Sequence, residues 1–294
     1  MQRRPGEALF QYHAAGTLAR WRAATKNEFM SRITISNLKR MKAGAEKVAV
    51  ITAYDAGFTH LVEAAGIEVI LVGDSLGMVV QGHETTLPVT VEQMVYHTEL
   101  VTRASRHCLI VADMPFMSHG TCDQALDTAG RLMKKGGAHM VKLEGGRAQV
   151  DTVRHLTERA VPVCAHLGLL PQSIHQLGGY RVQGRNKQSA HDLLNDARMM
   201  QDAGAQMLVL ECVPGLLAQE VTSALDIPVI GIGAGPACDG QVLVLHDVLG
   251  MTSGKPPSFS KNFMPGAESI EAAIAAYVAA VRNGEFPAPE HTFQ

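Results

Sequence analysis

Residues 69–75 read Val69-Ile70-Leu71-Val72-Gly73-Asp74-Ser75. Four apolar residues stand in a row, and a glycine and two polar residues follow. An unbroken apolar run of this length is the pattern of a strand covered on both faces, as in a parallel sheet. Short apolar runs recur at Val48–Ala53, Leu109–Ala112, Met140–Leu143, Val161–Ala165, Met207–Leu210, Val229–Ile232 and Val242–Leu245, which makes eight, most of them continuous. Helix-length stretches lie between most of them: Ala56–Ala65, Val91–Ser105, Thr121–Lys135, Gln149–Ala160, Ser189–Ala203 and Leu216–Leu225, with Ile270–Val281 near the end. Thr90 is placed to cap the second of these. Eight strand–helix units in about 250 residues predict an α/β fold, a single-domain (β/α)8 TIM barrel. The runner-up is a doubly wound sheet. That fold usually carries a glycine-rich dinucleotide turn after its first strand. Here Tyr54-Asp55-Ala56-Gly57 follows instead.

Composition agrees with one large domain or two small ones in 294 residues. Hydrophobic residues are 46% and charged residues 18%, which excludes a disordered chain. No run approaches the ~18 apolar residues of a membrane span. A net charge of −2 argues against a dedicated nucleic-acid binder. Residues 1–29 differ from the rest. Arg3, Arg4, Arg20, Arg22 and Lys26 outnumber Glu7 and Glu28, giving +3 there and −5 in the remainder. This segment reads as a targeting presequence or, preferably, as a non-catalytic extension of residues 1–29 ahead of a catalytic barrel over residues 30–294. The five cysteines form no C-x-x-C pair and read as buried thiols of a reducing compartment.

Barrel chemistry gathers at the C-terminal ends of the strands. Asp55, Asp74 with Ser75, Asp113, Lys142 with Glu144, His166, Glu211, and His246 with Asp247 all stand at such ends. Each has a plain alternative. An Asp after a strand serves as a helix cap, Lys142 as half of an ion pair, His166 as a hydrogen-bonded core residue. Together, Asp74, Asp113 and Glu144 crowd acids from three consecutive strands, which calls for a cation. Hard oxygen donors favour Mg²⁺ over zinc. Gly231–Gly235 reads as a phosphate grip or as a packed turn. The connections Gly77–Thr90 and Gly168–Gln188 are long enough to be functional loops. The residues alone therefore predict a Mg²⁺-dependent barrel enzyme for a small oxyanion, with Lys142 supplying charge and Glu211 or His166 moving protons.

The same segments resemble the ketopantoate hydroxymethyltransferase (3-methyl-2-oxobutanoate hydroxymethyltransferase) family. The resemblance is carried by Thr52-Ala53-Tyr54-Asp55, Val72–Met78, Gln81-Gly82-His83, Leu87–Thr90, Ala112–Phe116, Val141–Gly146, Ala165–Gly168, Gly178–Gly184, Leu210–Pro214, Gly231–Gly235 and Asp239-Gly240-Gln241. It runs from about residue 33 to 293. Leu170, Arg181 and Cys238 depart from the family's usual residues. The resemblance implies transfer of a one-carbon unit from 5,10-methylenetetrahydrofolate to 3-methyl-2-oxobutanoate through a Mg-stabilised enolate, giving 2-dehydropantoate for pantothenate and coenzyme A. It implies Mg²⁺ on Asp74, Asp113 and Glu144. Substrate contacts fall on Asp74, Ser75, Asp113 and Lys142, the proton acceptor on Glu211, and a pocket histidine on His166. It also implies a cytoplasmic homodecamer of two pentamers, with no nucleic-acid or membrane partner. A folate-independent 2-oxoacid lyase and a non-catalytic binding barrel are the competing readings.

Overall fold

The computed structural model describes residues 31–252 and 254–294. The extension assigned to residues 1–29 lies outside the described residues. A compact unit spans Ile33–Gln294. Its strands are β1 (Val48–Thr52), β2 (Val69–Val72), β3 (Leu109–Asp113), β4 (Met140–Glu144), β5 (Val163–Gly168), β6 (Met207–Glu211), β7 (Val229–Ile232) and β8 (Gly240–Leu243). They pair in sequence order, all parallel, and β8 returns to β1 to close the barrel. The expected (β/α)8 architecture is therefore the observed one. The last strand lies two residues earlier than its apolar run indicated, because Val244 and Leu245 turn into a short helix.

The helices are α1 (Ile35–Ala43), α2 (Ala56–Ala64), α3 (Leu76–Val79), α4 (Val91–Ala104), α5 (Cys122–Lys134), α6 (Val150–Thr157), α7 (Ile174–Leu177), α8 (Lys187–Asp202), α9 (Gly215–Ala224), α10 (Leu245–Val248) and α11 (Ile270–Arg282). Thr90 caps α4 as expected: Gln93 N donates to its hydroxyl at 3.3 Å, and Thr90 N donates to Gln93 Oε1 at 2.8 Å. Asp55 takes the plain reading. Its carboxylate accepts from Phe58 N at 2.9 Å and caps α2. Neither long connection is structureless. The first carries α3, and the second carries a 3-10 turn, Pro171–Ser173, followed by α7.

Strand parity organises the interior. Val48, Val69, Leu71, Val111, Met140 and Val209 belong to one buried cluster, together with Leu38 of α1. The residues between them, such as Ile51, Ile70, Ala112 and Leu143, pack in a second cluster with the helices. Successive strand residues face opposite sides, so the first cluster fills the barrel and the second joins strands to helices. Leu38 sits among the first residues of the strands and so plugs their N-terminal end. Residues that continue the inward parity upward emerge at the opposite mouth. Asp113, Lys142, Glu144, His166 and Glu211 all have that parity.

At the closing seam, Tyr277 of α11 donates its hydroxyl to Val50 O at 2.8 Å and Gln241 O at 3.0 Å. Lys42 pairs with Asp239 at 2.6 Å, and the same Asp239 oxygen accepts from Val229 N at 2.8 Å. All five cysteines are free thiols, and four of them are buried. No helix among the described residues is long and apolar enough to cross a membrane.

Candidate active site

Register brings the polar residues together. Asp113 of β3 is paired with Lys142 of β4, and Glu144 of β4 with His166 of β5. Strands in a sheet lie about 4.8 Å apart, so paired inward side chains touch. Lys142 Nζ accordingly lies 2.8 Å from Asp113 Oδ1. His166 Nδ1 lies 3.4 Å from Glu144 Oε1, and its Nε2 lies 3.2 Å from Glu211 Oε2. Asp113 Oδ2 accepts from Asp74 N at 3.1 Å, which fixes the turn after β2 against β3. Ser75 Oγ and the buried Tyr54 hydroxyl are 2.9 Å apart. All seven residues expected from the sequence line one cavity of about 590 Å³.

Gln172 is the residue that sequence reasoning missed. It is buried, and its Nε2 donates to Asp74 Oδ2 at 2.8 Å and to Met114 O at 3.0 Å. Its backbone N donates to Glu144 Oε2 at 3.0 Å. One residue of the β5 connection thus ties two acids from different strands. The only signal for it was the length of that connection.

Electrostatics follow from burial of this cluster. Burial pushes the Asp74 carboxyl well above the usual carboxylate range, and repulsion from Asp113 and Glu144 adds to the rise. Burial works against the Lys142 charge, but Asp113, Glu144 and Asp74 outweigh it and hold the ammonium above its ordinary value. Burial also raises Glu144, yet His166, Lys142 and the Gln172 N–H outweigh it and bring its carboxyl below the usual value. His166 is lowered by burial and by Lys142, but Glu144 and Glu211 prevail and raise it to about 9.

Four acids, Asp74, Asp113, Glu144 and Glu211, face two bases, Lys142 and His166. An acid surplus in a buried mouth, with Asp74 driven upward by its neighbours, fits a hard divalent cation. Among the described residues no three His, Cys, Asp or Glu side chains form a ready metal cage. Asp74 and Asp113 are the adjacent pair, with Glu144 engaged by Gln172 and His166.

Gly231–Gly235 takes the packed-turn reading. A Cβ on Gly231 would stand 2.9 Å from Cys238 Sγ. Gly233 has φ of +60°, and a Cβ there would meet the Phe259 ring at 3.0 Å.

The chain is similar to 3-methyl-2-oxobutanoate hydroxymethyltransferases from several bacteria. Identity is 59% with that of Nitrosococcus oceani, covering 90% of this chain and all of the relative. It is 57% with that of Alkalilimnicola ehrlichii, covering 89% and 94%, and 56% with that of Cronobacter sakazakii, covering 90% and 100%. Among solved structures, oxaloacetate acetylhydrolase shares the fold with a TM-score of 0.54 at 14% identity, over 88% of this chain and 100% of that one. Phosphonopyruvate hydrolase does so with a TM-score of 0.57 at 10% identity, over 75% and 84%. A family model described as "Ketopantoate hydroxymethyltransferase" matches residues 32–289. Matches of this extent make the chain a member of the ketopantoate hydroxymethyltransferase family.

Proposed function

We propose that the protein transfers a hydroxymethyl group from 5,10-methylenetetrahydrofolate to 3-methyl-2-oxobutanoate, giving 2-dehydropantoate for pantothenate biosynthesis. The observation that carries this reading is the Glu144–His166–Glu211 line set beside the Asp74–Asp113–Lys142 group in one cavity of a family member. Lys142 and Ser75 offer donors to the oxyanions of the 2-oxoacid. Asp74, Asp113 and Glu144 are the residues that would hold Mg²⁺, which supplies Lewis-acid polarisation of the 2-oxo group. Glu211 removes the proton on C3, and the C–H electron pair moves into the enolate. His166 stands between Glu211 and Glu144 and orients the base. Water adds to the donor's methylene carbon as its two C–N bonds break and the two nitrogens take up protons. The enolate carbon bonds to the one-carbon unit so released, whose carbonyl oxygen takes a proton to become the hydroxyl; the net products are 2-dehydropantoate and tetrahydrofolate.

The test is formation of 2-dehydropantoate from 3-methyl-2-oxobutanoate, methylenetetrahydrofolate and Mg²⁺ by the purified chain. Turnover that EDTA abolishes and Mg²⁺ restores is the expected result. A folate-independent retro-aldol activity on 2-oxoacids, with no folate-dependent transfer, would favour a lyase instead. The same reading carries the homodecamer and the cytoplasmic location, tested by sedimentation and by cell fractionation.

A further inference from the structure

A serine hydroxyl has a single hydrogen to give. If Ser75 spent it on Tyr54, only lone pairs would face the cavity, and lone pairs repel an oxyanion. The surroundings decide the direction. Ser75 Oγ lies 2.9 Å from the hydroxyl of Tyr54, a residue only 3% exposed. Among the described residues Ser75 Oγ is the one side-chain atom within hydrogen-bond distance of that phenol. A buried O–H left without an acceptor is costly, so Tyr54 donates and Ser75 accepts. Burial, with Asp113 and Asp74 nearby, holds the phenol above its ordinary value against the Ser75 and Thr52 hydroxyls, so its proton stays available. Thr52 Oγ1 already accepts from Leu245 N at 2.9 Å, which leaves its own hydrogen to face the phenol oxygen. Leu245 N, Thr52, Tyr54 and Ser75 thus all donate in one direction, and aligned hydrogen bonds reinforce one another.

Tyr54 is held in place for this. His97 Nδ1 of α4 donates to Tyr54 O at 2.7 Å, and the His246 ring of α10 packs against the Tyr54 ring with centroids 5.8 Å apart. Gly73 makes room for the serine, since a Cβ there would stand 2.7 Å from Ser75 Oγ. Ser75 lines the cavity, while Tyr54 is not among the lining residues. Any effect of the phenol on a ligand therefore passes through Ser75.

We propose that Tyr54 is a positioning residue: its phenol donates to Ser75 Oγ and so turns the one Ser75 hydrogen into the cavity, toward an anionic oxygen of the 2-oxoacid. The inference rests on the function proposed above and explains how Ser75 comes to be a donor there. An ionised acceptor makes that last hydrogen bond the strongest of the series.

Calorimetry of 3-methyl-2-oxobutanoate with Mg²⁺ on the full-length chain tests this through a double-mutant cycle of Tyr54→Phe and Ser75→Ala. Tyr54→Phe keeps the ring, removes the donor and weakens the 2-oxoacid about fivefold. In the Ser75→Ala background the same change alters the affinity by less than about twofold, because no hydroxyl remains to be turned. An unchanged affinity in Tyr54→Phe overturns the proposal. So does an equal loss in both backgrounds, which is what a purely structural role would give. Should Tyr54→Phe fail to fold, 3-fluorotyrosine incorporated throughout the chain supplies a more acidic phenol. It then tightens 2-oxoacid binding to the wild-type chain but not to Ser75→Ala, and an equal response in both overturns the proposal. A wild-type chain that does not bind the 2-oxoacid overturns the proposed function itself.

Discussion

His166 Nε2 lies 3.2 Å from Glu211 Oε2, across the gap between β5 and β6. The proposed base therefore stands against an imidazole that Glu144 holds from the other side. A Glu211→Gln side chain keeps the shape but cannot take a proton. Exchange of the C3 proton of 3-methyl-2-oxobutanoate into deuterated buffer should fall by about 10²–10⁴-fold. Binding of the 2-oxoacid should persist. Proton NMR of the substrate reads the first and calorimetry the second, and undiminished exchange would sink the assignment of the base.

Gln172 donates to Asp74 and Glu144 at once. Gln172→Ala removes the side-chain donor to Asp74 and leaves a buried carboxylate oxygen short of a partner. Groups that orient metal-holding residues typically matter by about 10–100-fold in metal affinity. A Mg²⁺ titration of activity in this variant should shift by that amount, while saturating Mg²⁺ restores much of the rate. A midpoint equal to wild type would show that the amide does not position Asp74.

Gly240 opens β8 directly against β1. A Cβ there would lie 2.3 Å from Val48 O and 2.8 Å from Ile230 Cδ1. The Val48 carbonyl is backbone of β1 and cannot turn aside, while the Ile230 side chain of β7 must shift as well. Gly240→Ala should destabilise the fold by about 3 kcal/mol, the upper end of ordinary overpacking. Urea unfolding followed by circular dichroism measures it. A change below about 1 kcal/mol would mean that the seam has room the geometry does not show.

Glu63 supports stability in a way that depends on pH. Burial pushes its carboxyl up, but the backbone N–H groups of His107, Cys108 and Arg106 and the Ser105 hydroxyl outweigh burial and hold it below its ordinary value of 4.5. A lowered folded value means the stabilisation is present above pH 4.5 and disappears as pH falls through that folded value. Glu63→Gln should therefore cost about 1–2 kcal/mol at pH 7, after allowance for partial exposure. The gap from wild type should narrow below about pH 4.5. Melting curves at pH 7 and pH 4 check both, and a gap that widens in acid would reverse the sign.

The barrel was legible because most strands are near-continuous apolar runs, and a run buried on both faces needs no partner to be recognised. The mouth acids were legible for a related reason. A charged residue at the end of such a run has one place to go, since parity turns Asp113, Lys142, Glu144, His166 and Glu211 inward, where only the open end admits charge. Asp55 shows the limit of that reading, because the same position in the pattern served a helix cap. The glycines of Gly231–Gly235 show it again, being consumed by Cys238 and Phe259.

Residue order alone thus determined the architecture, the mouth and the residue types gathered there, since periodicity and strand ends are local properties of a chain. Closure of the sheet decided the rest. Register in space, and not spacing in sequence, set His166 between Glu144 and Glu211 and let Gln172 reach Asp74 from 98 residues away. Such contacts join side chains from strands and connections distant in the sequence, and their partners become defined only when the ends of the sheet meet.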